Sequence, residues 1–461
     1  MGIVVQKFGG TSVGNGERMQ NVAKIIESTL AKQPVIAVVS AMSGTTKSEG
    51  TTSLLLAASD ASRKGAVFTR ELELIEQNHL KALGDSVREG ALRDEAKQYV
   101  VDELSRLKSF LDAISVIREL SPRSQDNVLA VGEKLSARIL TAVLNDRGIK
   151  AVFTDLAHAV PDDETSVNPA FFRRLQGLLG ERCRPRSGEV PVVTGFFGMV
   201  PGGLLGAVGR GYTDFTTAMI AAGLGRAQVD ELQVWKEVDG IFTADPRKVP
   251  SARVLSSISP AEAAELTYFG SEVLHPFTME RVVSANVPIR IKNSFRPDAE
   301  GTVIAALPAE RGNRVTAATV KRGITVLTIS SNRMYHAYGF LSRVFGTLAE
   351  HGVVVDLVST SEVSISCTVE RLEDPERVRA ALEQVGAVEV TPGRAILAIV
   401  GEGMKFATGT AGKMFSTLGA AGVNVEMITQ GASEINISCV VKEEQAAAGL
   451  NAVHDAFITS A

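Results

Sequence analysis

Short runs of β-branched and aliphatic residues recur along the first 300 or so positions, each followed by a longer stretch in which apolar residues return every three or four places. The runs predict strands at Ile3–Lys7, Val35–Val39, Ala151–Thr154, Val190–Thr194, Glu231–Val234 and Pro288–Lys292. The longer stretches predict helices near 17–31, 53–64, 132–147, 212–223 and 260–284. Such alternation implies an α/β fold, a mostly parallel sheet covered by helices on both faces. From about 68 to 120 the spacing is helical but densely charged, as in Glu71-Leu72-Glu73-Leu74-Ile75-Glu76, which predicts a helical insertion with one solvated face. Arg296–Asn313, with Pro297, Gly301, Pro308 and Gly312, reads as a boundary followed by a linker.

The last third repeats itself. Gly339, Phe345, Thr347, Leu348, Gly352, Val353 and Val355 return 70 positions later as Gly409, Phe415, Thr417, Leu418, Gly422, Val423 and Val425. Ser361-Glu362 and Ile365-Ser366-Cys367 return 72 later as Ser433-Glu434 and Ile437-Ser438-Cys439, which places an insertion near Gly431-Ala432. Each copy predicts strand, helix (Phe340–His351; Ala411–Ala421), glycine, strand and a hairpin to another strand. Two small βαββ modules packed together account for this, with Phe345, Leu348, Phe415 and Leu418 as core.

Composition narrows the class. The 461 residues are 45% hydrophobic, 22% charged and 5% aromatic, enough apolar material for about two to four domains. Net charge is −4 and no Lys/Arg run is long enough to track a phosphate backbone, which argues against nucleic acid as a partner. The start, MGIVVQKFGG, lacks the basic region and apolar stretch of a leader, and no segment offers the roughly 18 apolar residues of a membrane span. A cytoplasmic protein is expected. Cys183, Cys367 and Cys439 lack metal-ligand spacing and read as buried free thiols.

The sharpest chemistry stands at the beginning. Lys7-Phe8-Gly9-Gly10-Thr11-Ser12 follows the apolar run Ile3-Val4-Val5 and precedes a helix, so backbone N–H groups, the positive helix end and one lysine converge on an anion. In a Walker loop the lysine follows the glycines; here it precedes them.

KFGGTSV at Lys7–Val13, Val38-Val39-Ser40-Ala41, Gly132-Glu133, Gly209-Arg210-Gly211 with Thr213-Asp214, and Val238-Asp239-Gly240-Ile241-Phe242-Thr243-Ala244-Asp245-Pro246-Arg247, together with the repeat, resemble the aspartate kinases. The resemblance implies a three-layer αβα amino-acid-kinase domain over 1–305, a linker over 306–322 and two ferredoxin-like ACT domains. The first would cover 323–390, completed by 442–461, and the second 391–441. It implies phosphoryl transfer from ATP, with Mg2+ held mainly by phosphates, to the side-chain carboxylate of L-aspartate. That step leads toward lysine, threonine and methionine.

Such a nucleophile is already ionised, so positioning and charge neutralisation are what the reaction needs. By the resemblance Lys7, with Phe8, Gly9 and Gly10, holds the transferring phosphoryl group. Arg210 offers a planar fork for the α-carboxylate. Glu133 and Asp214 bind the ammonium group or orient Lys7, although a carboxylate in the first turn of a helix is also favoured by the helix dipole alone. Ser40, Thr52 (rather than Thr46) and Thr213 complete the substrate set. Phe196 reads equally as a substrate contact or a core ring. Lys236 and Glu237 would lie near the ribose and base, Phe242 against the base and Arg247 on phosphate; Asp245-Pro246-Arg247 is also a good turn starter. Lys236-Glu237, Tyr212 after the Gly-Arg-Gly motif, Glu272 before Val273-Leu274-His275 and an insertion around Lys47–Gly50 depart from the commonest bacterial pattern and resemble the fungal-type branch.

The repeat implies feedback by a free amino acid, threonine or lysine, at Met334, Gly339, Phe340, Leu341, Val355, Asp356, Thr360, Ser361 and Glu362, with Glu426 and Glu434 at related places in the second copy. Ala337 stands where lysine-inhibited relatives often carry serine. A homo-oligomer, dimer or tetramer, joined through the ACT modules is expected. Two rivals stay open: a kinase of the same fold acting on glutamate, and a non-catalytic amino-acid sensor.

Overall fold

In the computed structural model, residues 2–44, 46–161, 166–209, 211–268, 274, 276–306, 315–330, 339–370, 372, 374–405, 407–433 and 435–459 are described. They form two compact units, one of 1–241 with 274–305, the other of 242–273 with 306–461.

The strands of the first unit are β1 (Ile3–Phe8), β2 (Val35–Val39), β3 (Ala151–Thr154), β4 (Val190–Thr194) and β5 (Val229–Lys236); β6 (Ser257–Ile258) belongs to the second unit, and β7 (Ile289–Asn293) and β8 (Thr302–Ile304) return to the first. Their order is β3-β4-β2-β1-β5-β7-β8, parallel except for β8, which runs antiparallel to β7. Val-Ile-Ala-Val-Val in β2 and Val-Pro-Val-Val-Thr in β4 are buried at every position, as strands covered on both faces must be.

Strand alternation assigns the layers. Phe8, Val35, Ala37 and Val39 point into a core shared with α1 (Gly16–Leu30), α2 (Thr51–Arg63), α3 (Thr69–Ser86), α4 (Ala91–Ile117) and α5 (Pro122–Asp146). Lys7, on the opposite face of β1, reaches α8 (Tyr212–Leu224). The remaining helices of this unit are α6 (Pro169–Cys183), α7 (Leu204–Ala207) and α10 (Pro276–Ser284). The insertion expected over 68–120 is α3 and α4, whose Leu72, Ile75, Leu83, Val100, Leu104, Leu107 and Leu111 join that core. α5 starts some ten residues before the expected 132, capped by Ser121 with Pro122 in its first turn.

The second unit carries α9 (Pro260–Tyr268) and a six-stranded antiparallel sheet: β9 (Ala317–Ser330), β10 (Val355–Thr360), β11 (Ser364–Val369), β12 (Ala387–Val400), β13 (Val425–Gln430) and β14 (Asn436–Lys442), in the order β10-β11-β9-β12-β14-β13. The helices α11 (Phe340–Glu350), α12 (Pro375–Leu382), α13 (Thr410–Ala420) and α14 (Ala446–His454) pack in two cores. Gly339 and Gly409 precede α11 and α13 at φ 81° and 83°, a left-handed conformation that explains why both copies keep glycine there.

One expectation about boundaries fails. α14 packs with Met414 and Leu418 of α13, so residues 446–454 close the second module rather than the first, which is closed by Val378 and Leu382 of α12. The segment 242–273, expected in the kinase domain, packs with the second unit. Ala244 and Val249 sit in the core of the second module, and the Thr243 hydroxyl bonds His454 Nε2 at 2.9 Å. Linear position alone could not reveal that attachment.

Candidate active site

β1 ends where the chemistry begins. Phe8 stacks on Trp235 of β5 at 6.0 Å and 17°, which fixes the strand end. The chain then turns through Gly9-Gly10, with Ser12 N–H donating to the Gly9 carbonyl and Ser43 N–H to the Gly10 carbonyl. A Cβ on Gly10 would lie 2.5 Å from the Ala41 carbonyl oxygen, so only glycine lets this loop lie against the one after β2. Gly10→Ala is therefore expected to cost roughly 1–3 kcal/mol of stability and to slow turnover, checked by thermal unfolding and steady-state kinetics. An unchanged Tm would mean that the two loops can part freely.

Lys7 is 8% exposed, and its Nζ pairs with Asp214 Oδ1 at 2.8 Å. Asp214 stands in the first turn of α8, where a carboxylate is favoured, and Lys236 Nζ lies 3.9 Å from its other oxygen. Two ammonium groups thus share one carboxylate beside a helix N-terminus. Such an arrangement is suited to a phosphoryl group.

A second cluster lies across α5 and α8. Glu133 is fully buried; its Oε1 accepts the Tyr212 hydroxyl at 2.7 Å and the Ala41 N–H at 3.4 Å, whereas its Oε2 has no partner among the described residues. Burial pushes its pKa up to about 7 against the pull of those hydrogen bonds. Because α5 begins at Pro122, Glu133 is three turns into the helix and the first-turn dipole cannot explain it. A buried carboxylate oxygen with nothing to bind is a ready acceptor for a cation.

Other expected residues gather here. The Thr213 hydroxyl donates to Ser40 Oγ at 3.3 Å, and Ser136 Oγ donates to the Ser40 carbonyl at 2.7 Å. Thr52 faces the Tyr212 hydroxyl, and Phe196, buried, meets the Tyr212 ring edge-on at 6.2 Å. Gly209 and Gly211 have φ 84° and 97°, and Arg210 between them lies outside the described residues. Tyr212 itself, noted in the sequence only as a departure, is the partner that sequence reasoning missed.

The expected nucleotide segment is divided. Lys236 and Glu237 are in the first unit, where the Glu237 carbonyl accepts Asn293 Nδ2 at 3.4 Å. Phe242, Asp245 and Arg247 are in the second, where the Asp245 carboxylate takes the Arg247 N–H at 3.0 Å and its guanidinium at 3.0 and 3.1 Å. The turn reading of Asp-Pro-Arg holds, and the largely exposed guanidinium remains accessible to a phosphate.

Of the expected regulatory residues, Gly339 starts α11, Phe340 and Val355 pack in the first module's core, and Leu341 is half-exposed. Asp356 is engaged by Lys321 at 3.1 Å through both oxygens, so it is not free to receive an ammonium group unless Lys321 yields. Ser361 closes the β10–β11 hairpin by accepting from Ser364 N–H at 3.1 Å, with Thr360 paired to Ile365 and Glu362 exposed. Met334, Ala337, Glu434, Glu272 and His275 lie outside the described residues. No helix among the described residues is long and apolar enough to cross a membrane.

Residues 2–293 match the amino acid kinase family, and 327–385 and 397–457 match the ACT domain. The chain is 44% identical to the aspartokinase of Schizosaccharomyces pombe and 43% to that of Saccharomyces cerevisiae, in both cases over 98% of this chain and 92% of the relative. Among solved structures it is similar to aspartokinase III of E. coli in complex with aspartate and ADP, with a TM-score of 0.77 and 29% identity over 98% of this chain and 99% of that one. A likeness that runs unbroken through the Lys7 loop, the Glu133 and Asp214 helices and both modules has one reading: the chain belongs to the amino acid kinase family, as an aspartokinase with two ACT domains.

Proposed function

We propose that the Lys7–Asp214 cluster and the Glu133 cluster together carry phosphoryl transfer from ATP to the side-chain carboxylate of L-aspartate, giving 4-phospho-L-aspartate and ADP. The observation that carries this is the pairing of a phosphoryl-type site, Lys7 at 2.8 Å from Asp214 beside Gly9-Gly10, with a buried carboxylate whose Oε2 is unpartnered. Lys7 stabilises charge on the transferring group, and Asp214 holds its ammonium in place; Lys236 adds a second positive charge. Mg2+, held mainly through the phosphates of the bound nucleotide, would supply further charge neutralisation. Glu133 receives the α-ammonium, Arg210 the α-carboxylate, and Ser40, Thr52 and Thr213 the remaining polar edge of the substrate. Phe8, Gly9 and Gly10 line the phosphate end, with Glu237 toward the nucleotide.

Aspartokinase III of E. coli has also been solved with lysine and aspartate, which supports an amino-acid effector, threonine or lysine, at the repeat; the repeat is also the element we propose to join a homo-oligomer. Trapping acyl phosphate with hydroxylamine tests the reaction: hydroxamate is expected from aspartate with MgATP and not from glutamate. Product from glutamate alone, or from neither, overturns the proposal. Threonine and lysine added to the same assay, singly and together, are expected to suppress hydroxamate.

A further inference from the structure

Tyr212 occupies a position that the phosphoryl chemistry does not use, yet it is tied into the site on every side. It is the first residue of α8, 7% exposed, with its ring edge-on to Phe196 and Thr52 of α2 facing its hydroxyl. Its O–H donates to Glu133 Oε1 at 2.7 Å, a contact between residues 79 apart in sequence. The groups around Glu133 are thus Tyr212 from α8 and the Ala41 N–H from the loop after β2. A further charge acting on the phenol is Asp126, itself a buried carboxylate of α5. No basic side chain among the described residues pairs with Glu133.

A carboxylate in a dry site has two easy escapes from its charge: it can rotate to share whatever donors are present, or take up a proton. The phenol opposes both. By saturating Oε1 together with the Ala41 amide it fixes the carboxylate plane, and by donating a hydrogen bond to the charged form it favours that form. Oε2 is then the one oxygen left for a ligand.

We propose that Tyr212 is the positioning residue for amino-acid recognition: it holds the Glu133 carboxyl group in one orientation, so that Oε2 meets the α-ammonium group of the substrate. This rests on the reading of Glu133 as the ammonium acceptor. Tyr212 touches Glu133 and acts through it.

The test is Tyr212→Phe, which keeps the ring against Phe196 and removes only the donor. The KM for aspartate at neutral pH is expected to rise about tenfold or more, the loss of one hydrogen bond to a charged group. The acidic limb of the kcat/KM profile for aspartate should move to higher pH, since Glu133 then ionises less readily. The kcat at saturating aspartate and the KM for ATP should stay within about twofold. An unchanged aspartate KM and acidic limb, or a fall in kcat with KM unmoved, overturns the proposal.

Glu133→Gln separates the two layers of the argument. If that variant binds aspartate normally, the ammonium reading itself is wrong. If it binds aspartate poorly while Tyr212→Phe binds it well, only the role of Tyr212 is wrong. In the double variant Tyr212→Phe should add nothing to Glu133→Gln; an additive loss would assign Tyr212 to packing and overturn the proposal. Should Tyr212→Phe fail to fold, Thr52→Val, which frees the phenol to turn, is expected to move the acidic limb of the kcat/KM profile to higher pH by a smaller amount; a change in aspartate KM alone would report only the direct contact of Thr52 with the substrate, and an unmoved limb overturns the proposal.

Discussion

Lys7→Ala is expected to lower kcat at least ~10²–10³-fold, the usual consequence of removing a preorganised charge from a forming oxyanion. Hydroxamate formation from aspartate should fall to background. The fold should survive, because Asp214 keeps Lys236 within 3.9 Å of its second oxygen and is not left as an isolated buried charge. Effector binding should also survive, since the repeat packs around its own cores in the second unit. Hydroxamate assay and calorimetric titration of threonine or lysine, run on the same preparation, check both halves. Loss of turnover together with effector binding would instead make Lys7 a support of the fold.

Glu133→Gln should weaken aspartate binding strongly but measurably and, unusually for an active-site change, stabilise the protein. Burial raises the Glu133 pKa in the folded chain from an ordinary 4.5 to about 7. The folded state therefore prefers the protonated acid. Below the unfolded pKa both states are neutral and the variant gains little. As pH rises from about 4.5 toward 7 the unfolded chain ionises freely while the folded one resists, so the wild type loses stability that glutamine does not. The gain should reach on the order of 3 kcal/mol at and above neutrality. Unfolding midpoints of both proteins at pH 4.5 and pH 7.5 check the sign; a larger gain at the acidic end would contradict it. Stability given up for a charged, substrate-ready carboxylate is a common feature of binding sites.

Local features were legible in the sequence and long-range ones were not. The strands Val35–Val39 and Val190–Thr194 appear where the apolar runs predict them, because a strand buried on both faces leaves a continuous signal. The Lys7 loop was legible because strand, glycines and helix are consecutive. The start of α5 was missed because the Arg118–Gln125 stretch has no apolar period, although Ser121-Pro122 is a good cap and first-turn pair. α6 was missed too. Tyr212 could be seen only as an oddity, since its meaning depends on Glu133, which the fold brings to it from another helix. Nothing in the linear order of Phe242–Arg247 announces that Thr243 is held by His454, 211 residues later.

The two long strands bear on how the repeat can be taken apart. The early half of β9, with Ala318 and Val320, lies in the core of the second module, and its later half, with Leu327 and Ile329, in that of the first. β12 divides the other way, Val388 and Val390 with the first module and Leu397 and Ile399 with the second. The second copy is thus completed by a segment that precedes the first. Neither copy could be excised without stripping a strand from the other, so this duplication has no seam at which evolution or an engineer could cut it.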